Sequence, residues 1–339
     1  THEGSRVGGF ALGYDGGTNR WSFGMPQRDA DNAPVTLVTA ASEPSMRVWT
    51  HLAGTYDAAT RKLSLYVNGR LAGEKIAPVD AWSAMGWLVI GRNNWNGANA
   101  QNWAGEIADV RVWDRRIYLS EVTEIANQLT TVGEWKFDEP SGATMTDTSP
   151  FGRNVEFTGT SWRRDPGHDG GGAVTGSFGV TSAPVVRSTT GFAVSAWVKL
   201  EQPDALVQAA VAADGQRNSP FALQYMPDTK NWGFRLTDVD ADDAQRFRAF
   251  SQSPAVVGKW THLVGVYDPG AKQIRLYVNG QLESTITAPA RTWDALGSLT
   301  IGRAKWAGAN YDGWRGGIDD VRVFAGVPTD LDVAALFQN

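Results

Sequence analysis

Along the stretch from Trp260 to Phe324 apolar and polar residues alternate in short runs broken by turn residues: WTHLVGVYD, IRLYVNGQL, LTIGR, WRGGIDDVRVF. A period of two marks half-buried strands. Asn279-Gly280, set between LYV and a further apolar run, has the composition of a two-residue hairpin turn. The same text occurs 211 positions earlier, from Trp49 to Trp113, with no gap, and 33 of the 65 aligned positions are identical. Identity that dense means one structural unit present twice. In the first copy WSFGM, VTLVTA, WTHLAGTYD, LSLYV, LVIGR and EIADVRVW are the expected strands, with Asn68-Gly69 as the matching hairpin turn. Each copy is followed by a helical pattern. LSEVTEIANQL places Leu119, Val122, Ile125 and Leu129 on one face with Ser120 as candidate N-cap, and Thr329 caps DLDVAALF. These helices are expected to pack across a sandwich end.

The pattern divides the chain into residues 1–130 and 131–339. The alignment extends back to Thr1–Phe10, which matches Ala212–Phe221, and continues through FALGY, the counterpart of FALQY, to Trp21 and Trp232. The 80 residues from Val132 to Val211 have no counterpart, although EWKFDEPSG and GFAVSAWVKL within them read as strands. The first unit is therefore expected to lack its N-terminal strands, which would leave an unpaired edge and an open core face. A fragment of a longer protein, or a cleaved protein whose upstream portion completes the first sandwich, would account for this; the second is the favoured reading. Thr130–Gly133 leaves almost no linker, and SWRRDPGHDGGGA, from Ser161 to Ala173, reads as a surface loop.

Composition narrows the function classes. With 42% hydrophobic and 20% charged residues the chain is globular, and 38 glycines suit a protein with many turns. A net charge of −5 without a basic cluster argues against a nucleic-acid partner. The absence of cysteine excludes disulfides and thiolate chemistry, and no apolar run approaches the ~18 residues of a membrane span, so no membrane insertion is expected. Tryptophan is the compositional outlier at fifteen residues; some of that excess is core, and tryptophan also supplies flat stacking surface for sugars.

EWKFDEPSG, FAVSAWVKL, KWTHLVGVYD, LYVNGQL, LTIGR and GGIDDVRVF, in that order, resemble the bacterial laminin G-like jelly-roll modules of the concanavalin A-like lectin/glucanase superfamily. The resemblance implies an all-β fold: two antiparallel β-sandwich jelly rolls in tandem, each ending in a short helix. It also implies a secreted or cell-surface location and recognition of a glycan or a cell-surface protein, often within a larger enzyme, adhesin or toxin. Fold alone does not supply function.

Glucanases of this superfamily place two carboxylates on one strand, as in Glu-x-Asp-x-x-Glu, because retaining glycoside cleavage needs an acid and a nucleophile about 5–5.5 Å apart. The sequence holds no such run. Its densest acidic cluster, Asp238, Asp240, Asp242 and Asp243, falls in a turn, with Gln27 opposite Asp238 in the first unit. His51 and His262 share one strand position and read as packed structural histidines. The chain is read as non-catalytic.

The resemblance also implies a Ca²⁺ at the sandwich rim, with Asp138 or Glu139, Asp147, Asn154 and Asp319 or Asp320 as oxygen donors. The first unit keeps Asp109 opposite Asp320 but has Ala108 opposite Asp319. Turn-capping carboxylates are the alternative reading. The text from Asp238 also resembles the start of an EF-hand loop, but lacks its glycine at the sixth place and its glutamate at the twelfth, here Ala249.

For ligand binding the candidates are Arg92, Trp95 and Asn99 in the first unit and Arg303, Trp306 and Asn310 in the second. Tryptophan can stack on a pyranose, while asparagine and arginine meet hydroxyls or carboxylates. Trp103 and Trp314 precede the closing strand, where the resemblance implies a buried aromatic; Trp82 and Trp293 fit either role. For the two arginines a structural ion pair is the favoured reading over ligand binding. The rival function is a structural module that packs against other domains and binds no sugar.

Overall fold

In a computed structural model the described residues are 1–44, 49–139, 142–158, 163–169, 172–175 and 177–338. They form two compact units. The first runs from Thr1 to Asn127, apart from a few residues around Trp49 that group with the second, and the second runs from Gln128 to the C-terminal helix.

The second unit is a sandwich of two antiparallel sheets. In one sheet the strand order is Thr144–Met145, Val155–Thr158, Phe178–Thr181, Leu299–Ile301, Gln208–Ala213, Phe221–Met226, Asn231–Thr237 and Arg246–Pro254. The other runs Arg163–Pro166, Gly172–Thr175, Gly316–Ala325, Phe192–Leu200, Trp260–Asp268, Gln273–Val278 and Gln281–Thr287, with Thr130–Trp135 also paired to Gly316–Ala325. Ser161–Ala173 is thus not simply a loop. Arg163–Pro166 and Gly172–Thr175 pair with each other, and the latter extends the sheet through Val174 opposite Ile318. Residues 161, 162, 170 and 171 of that segment lie outside the described residues.

Alternation decides which side chains fill the space between the sheets. Phe221, Leu223, Trp232, Phe234 and Leu236 from one sheet meet Phe192, Val194, Leu263, Ile274 and Val323 from the other. Gly265 is what lets the layers close over an aromatic ring: a Cβ there would stand 2.2 Å from Phe234 Cδ2, and Gly54 of the first unit would meet Phe23 Cδ2 at 2.4 Å.

The helices do not pack across a sandwich end. Val333 of Asp330–Gln338 packs with Ala193, Val264, Val266, Tyr277 and Phe324 on the outer face of the second sheet. The reason is burial: the Phe192 and Trp260 strands are apolar on both faces, so their outer faces also require cover. Val122 of the helix Leu119–Ala126 packs in the same way with Ala53 and Tyr66. Thr329 caps the second helix as expected, accepting the Asp332 N–H at 3.2 Å while the Asp332 carboxylate accepts the Thr329 N–H at 2.8 Å. In the first helix the cap is Tyr118, not Ser120. Glu121 accepts the Tyr118 N–H, and its bond to Arg115 holds its own carboxyl down at about 2.

The first unit has a three-stranded sheet of Ala11–Asp15, Arg20–Pro26 and Val35–Thr39, another of Leu52–Asp57, Lys62–Val67 and Arg70–Ile76, and a small hairpin of Asn93–Trp95 with Ala98–Ala100. Two expected strands are absent from it. Glu106–Trp113, the text of Gly316–Ala325, forms no strand, and LVIGR retains only the bridge of His2 to Leu88. In the second unit Gly316–Ala325 is held by Phe192–Leu200 and Thr130–Trp135. Among the described residues of the first unit, no strand lies beside Glu106–Trp113 as Phe192–Leu200 lies beside Gly316–Ala325. Ladder hydrogen bonds, not local propensity, make that strand.

No described helix is long and apolar enough to cross a membrane.

Candidate functional site

The two predicted arginines are engaged within the protein. Arg303 is buried and places Nη1 and Nη2 on the two carboxylate oxygens of Asp214, each at 2.8 Å. In the first unit Arg92 pairs with Glu3, the residue aligned with Asp214. Trp306 and Asn310 lie on one short hairpin, Ala304–Trp306 paired with Ala309–Tyr311, in which Trp306 faces Ala309 and Asn310 faces Lys305. Strand alternation puts Trp306 and Asn310 on opposite sides of that hairpin. Trp95 and Asn99 are separated in the same way, since Trp95 pairs with Ala98 and Asn99 with Asn94. The expected tryptophan–asparagine–arginine trio does not converge in either unit.

The other tryptophans have structural surroundings. Trp314 is buried and stacks on Trp232 with centroids 6.3 Å apart, and Trp103 stacks on Trp21 at 6.0 Å. Trp293 donates to Thr237 Oγ1 and Trp82 to the Pro26 carbonyl.

The expected cation donors hold hydrogen bonds and ion pairs of their own. Asp147 accepts the N–H groups of Glu134 and Ser149 on Oδ1 and that of Arg153 on Oδ2, and Asn154 Oδ1 accepts the Asp147 N–H. Asp320 and Glu134 both pair with Arg322. Glu139 accepts the Thr146 N–H, and Asp138 is exposed. His168, Asp169 and Asp319 bring ligand-type atoms within 4.8 Å of one another, but Asp319 Oδ2 already accepts the His168 N–H and Oδ1 that of Asp320. The EF-hand-like text is a turn: Asp240 accepts the N–H groups of Gln216, Arg217 and Asn218, and Asp242 pairs with Arg217. Asp29 and Asp31 repeat this with Ser5, Arg6 and Val7. Burial pushes the His262 imidazole down to about 3, and His51 is lowered for the same reason.

A group that sequence reasoning missed lies on the outer face of the sheet containing Phe221–Met226. Across four strands Ala212, Ala222, Arg235 and Arg248 stand opposite one another in a row, and Arg246 lies two pairs further along, opposite Thr237 and on the same face. The small residues at one end of this row let Ala304 settle on Ala209, Ala212 and Ala222. That seats the hairpin so that Trp306 lies over the arginines, its ring centroid 4.3 Å from Arg246 Cζ and 5.8 Å from Arg235 Cζ. Arg235 is 2% exposed, and among the described residues its Nε and Nη2 have no hydrogen-bond partner; neither does Arg248 Nε. Burial takes the Arg235 guanidinium down to about 10, against the pull of Asp312, and lowers Arg248 as well. Asp312 is itself raised by burial, an effect the three arginines oppose.

Tyr311 shares the Trp306 side of the hairpin, is 57% exposed, and with Asp312 borders two hollows. One, of about 440 Å³, continues over Gln202 and Leu206; the other, of about 380 Å³, continues over Phe178 and Asn310. A signal for this face does exist in the sequence. Arg246 and Arg248 are spaced i, i+2 on one strand, and the first unit has Val35 and Leu37 there and Gly24 opposite Arg235. The cross-strand meeting of Arg235 and Arg248 is set by register, which the text does not display.

The family model for the concanavalin A-like lectin/glucanases superfamily matches residues 1–123 and 171–334. No curated protein matches the chain. Among solved structures, domain 4 of AbnA, a GH43 extracellular arabinanase from Geobacillus stearothermophilus in complex with arabinotriose, has a TM-score of 0.51 at 21% identity, over 62% of this chain and 99% of that one. The binding domain of Paraclostridial Mosquitocidal Protein 1 scores 0.47 at 15% identity, over 61% and 52%. The botulinum neurotoxin serotype D ligand binding domain, in complex with N-acetylneuraminic acid, scores 0.47 at 12% identity, over 62% and 50%. The chain thus spans about half of each toxin domain. At 21% identity the likeness to the arabinanase domain speaks to the fold alone.

Proposed function

The chain belongs to the concanavalin A-like lectin/glucanases superfamily, and we propose that it is a non-catalytic, glycan-binding module of a larger secreted or cell-surface protein. The ligand is placed on the second unit, at the hairpin that carries Trp306 and Tyr311. The observation that carries this reading is Tyr311, an exposed aromatic between two hollows with polar groups at their margins. Sugar rings stack on such a surface while their hydroxyls reach the polar margin. The non-catalytic part is supported by the acidic residues, since Asp147, Asp214, Asp240 and Asp242 are bound to N–H groups or guanidinium. The arabinotriose held by the arabinanase domain makes arabino-oligosaccharides sensible first neutral probes.

A glycan array with the intact chain and with Tyr311→Ala tests the reading. Binding that Tyr311→Ala abolishes is expected. Binding that survives unchanged would remove the hairpin from the claim, and a blank array would remove the claim itself.

One observation favours a second reading, in which the first unit packs against a further polypeptide segment. Ile107, Val110 and Val112 are exposed in the unpaired Glu106–Trp113 stretch, and Trp87 is 82% exposed. The upstream portion of the same parent protein would suit this surface by supplying strands. Amide exchange across residues 106–113 should slow in a longer product of the same gene; unchanged exchange rates there would oppose it.

A further inference from the structure

The outer face of the sheet holds three arginines whose charge the protein itself leaves uncompensated. Arg235 is buried with two orphaned N–H groups, and Arg248 adds a third. Asp312 acts on Arg235 and Arg248, and Asp228 acts on Arg248 as well, yet neither carboxylate forms an ion pair with these arginines within 4.0 Å. Orphaned donors on a buried guanidinium are costly, and close like charges add to the cost. Trp306 contributes its ring face to Arg235 and Arg246, which offsets part of this and fixes where the guanidinium groups point. It provides no oxygen for their N–H groups.

The first unit shows that the fold does not require these charges. Ala11, Gly24 and Leu37 stand opposite one another as Ala222, Arg235 and Arg248 do. The space a Cβ would enter at Gly24 is closed by Leu37 and Val35, and neutral Gln101 takes the place of Asp312. The apolar version packs in the same register, so the arginines serve something other than the sandwich.

We infer that the second unit binds an acidic glycan, with the carboxylate of a sugar acid received by Arg235, Arg246 and Arg248 and the neighbouring rings lying along Tyr311. The inference rests on the glycan-binding reading above. Guanidinium matches a carboxylate with two parallel N–H···O bonds, and orphaned donors on a sheet face are already oriented for that geometry. Trp306, lying over the guanidinium groups, then positions the arginines, while Tyr311 meets the sugar. A polyanion such as nucleic acid is disfavoured, because three clustered arginines on a chain of net charge −5 make no extended basic track. The first unit, with Gly24, Val35 and Leu37 at the aligned positions, lacks this cluster.

Titration calorimetry of the full chain with trigalacturonate and with its methyl ester isolates the charge. The acid should bind about tenfold tighter or better, the range expected for charge-assisted hydrogen bonds, and its advantage should shrink as salt rises. Arg246→Ala combined with Arg248→Ala should remove the preference, and Arg235→Met should remove it without lowering the melting temperature. Equal affinity for acid and ester would overturn the inference while leaving glycan binding intact. An acid preference that persists in both variants, or a melting temperature that collapses in Arg235→Met, would overturn the assignment to this face. A sulfated disaccharide bound more tightly than the uronate would overturn the choice of carboxylate. If no glycan of any charge binds, this inference and the broader reading fall together.

Discussion

Arg303 sets its two terminal nitrogens on the two carboxylate oxygens of Asp214, each at 2.8 Å, and the aligned pair in the first unit is Arg92 with Glu3. Both arginines follow an Ile-Gly turn, and both tie the start of the small hairpin to an acidic residue far away in sequence. The second pair is the more buried, so removing one partner strands a desolvated charge. Asp214→Asn should destabilise the second unit by about 3–5 kcal/mol. Glu3→Gln should cost the first unit about 1 kcal/mol or less. Chemical denaturation followed by tryptophan fluorescence compares the two, and equal losses would contradict the burial argument.

Asn279 and His262 exchange hydrogen bonds. The Asn279 side-chain oxygen accepts the His262 N–H at 2.9 Å, and the His262 carbonyl accepts the Asn279 N–H at 2.8 Å. Asn68 and His51 do the same. Asn279 also sits at φ +49°, a region that costs most residues about 1–2 kcal/mol. Asn279→Ala should therefore lose both the hydrogen bond and the easy backbone, and Asn279→Gly only the first. Glycine should melt closer to the parent than alanine; the reverse order would show that the turn does not govern this hairpin.

Gly265→Ala tests how closely the sheets approach. Its new Cβ would meet Phe234 Cδ2 at 2.2 Å, so the ring or the strand must move. A loss of about 1–3 kcal/mol or more is expected from such overpacking. Adding Phe234→Leu should restore part of it, and a double-mutant cycle with no coupling would place the strain elsewhere.

The pH dependence follows from His262. Burial, reinforced by Arg322 and His168, lowers its imidazole from 6.5 to about 3 in the folded chain. The unfolded chain then binds a proton that the folded chain refuses. This contribution is complete above pH 6.5 and is lost as pH falls towards 3, at up to about 1.4 kcal/mol per pH unit. His262→Leu should flatten that part of the curve. Denaturation of parent and variant at pH 7, 5 and 4 reads the difference, and parallel curves would refute the assignment.

Much of the fold could be read from residue order alone. Alternation in WTHLVGVYD and the Asn-Gly turns are local features that mark where strands and hairpins can form, and the gapless repeat shows the unit twice. The Thr329 cap and the buried Trp314 belong with these. The site was less legible. Ion pairing of Arg303 was foreseen but its partner was not, since Asp214 lies 89 positions away, and Trp306 and Asn310 parted because they face opposite sides of two paired strands.

Sequence by itself determined that this chain repeats one β unit, and which residues in each copy alternate inward and turn. Tertiary structure alone decided that Arg235 and Arg248 stand opposite each other beneath Trp306, and that Glu106–Trp113 does not become the strand its text spells in the second copy. Both outcomes depend on pairing between distant segments. A strand is completed by its neighbours' hydrogen bonds, and a cluster on a sheet face is completed by register, which no local stretch of sequence contains.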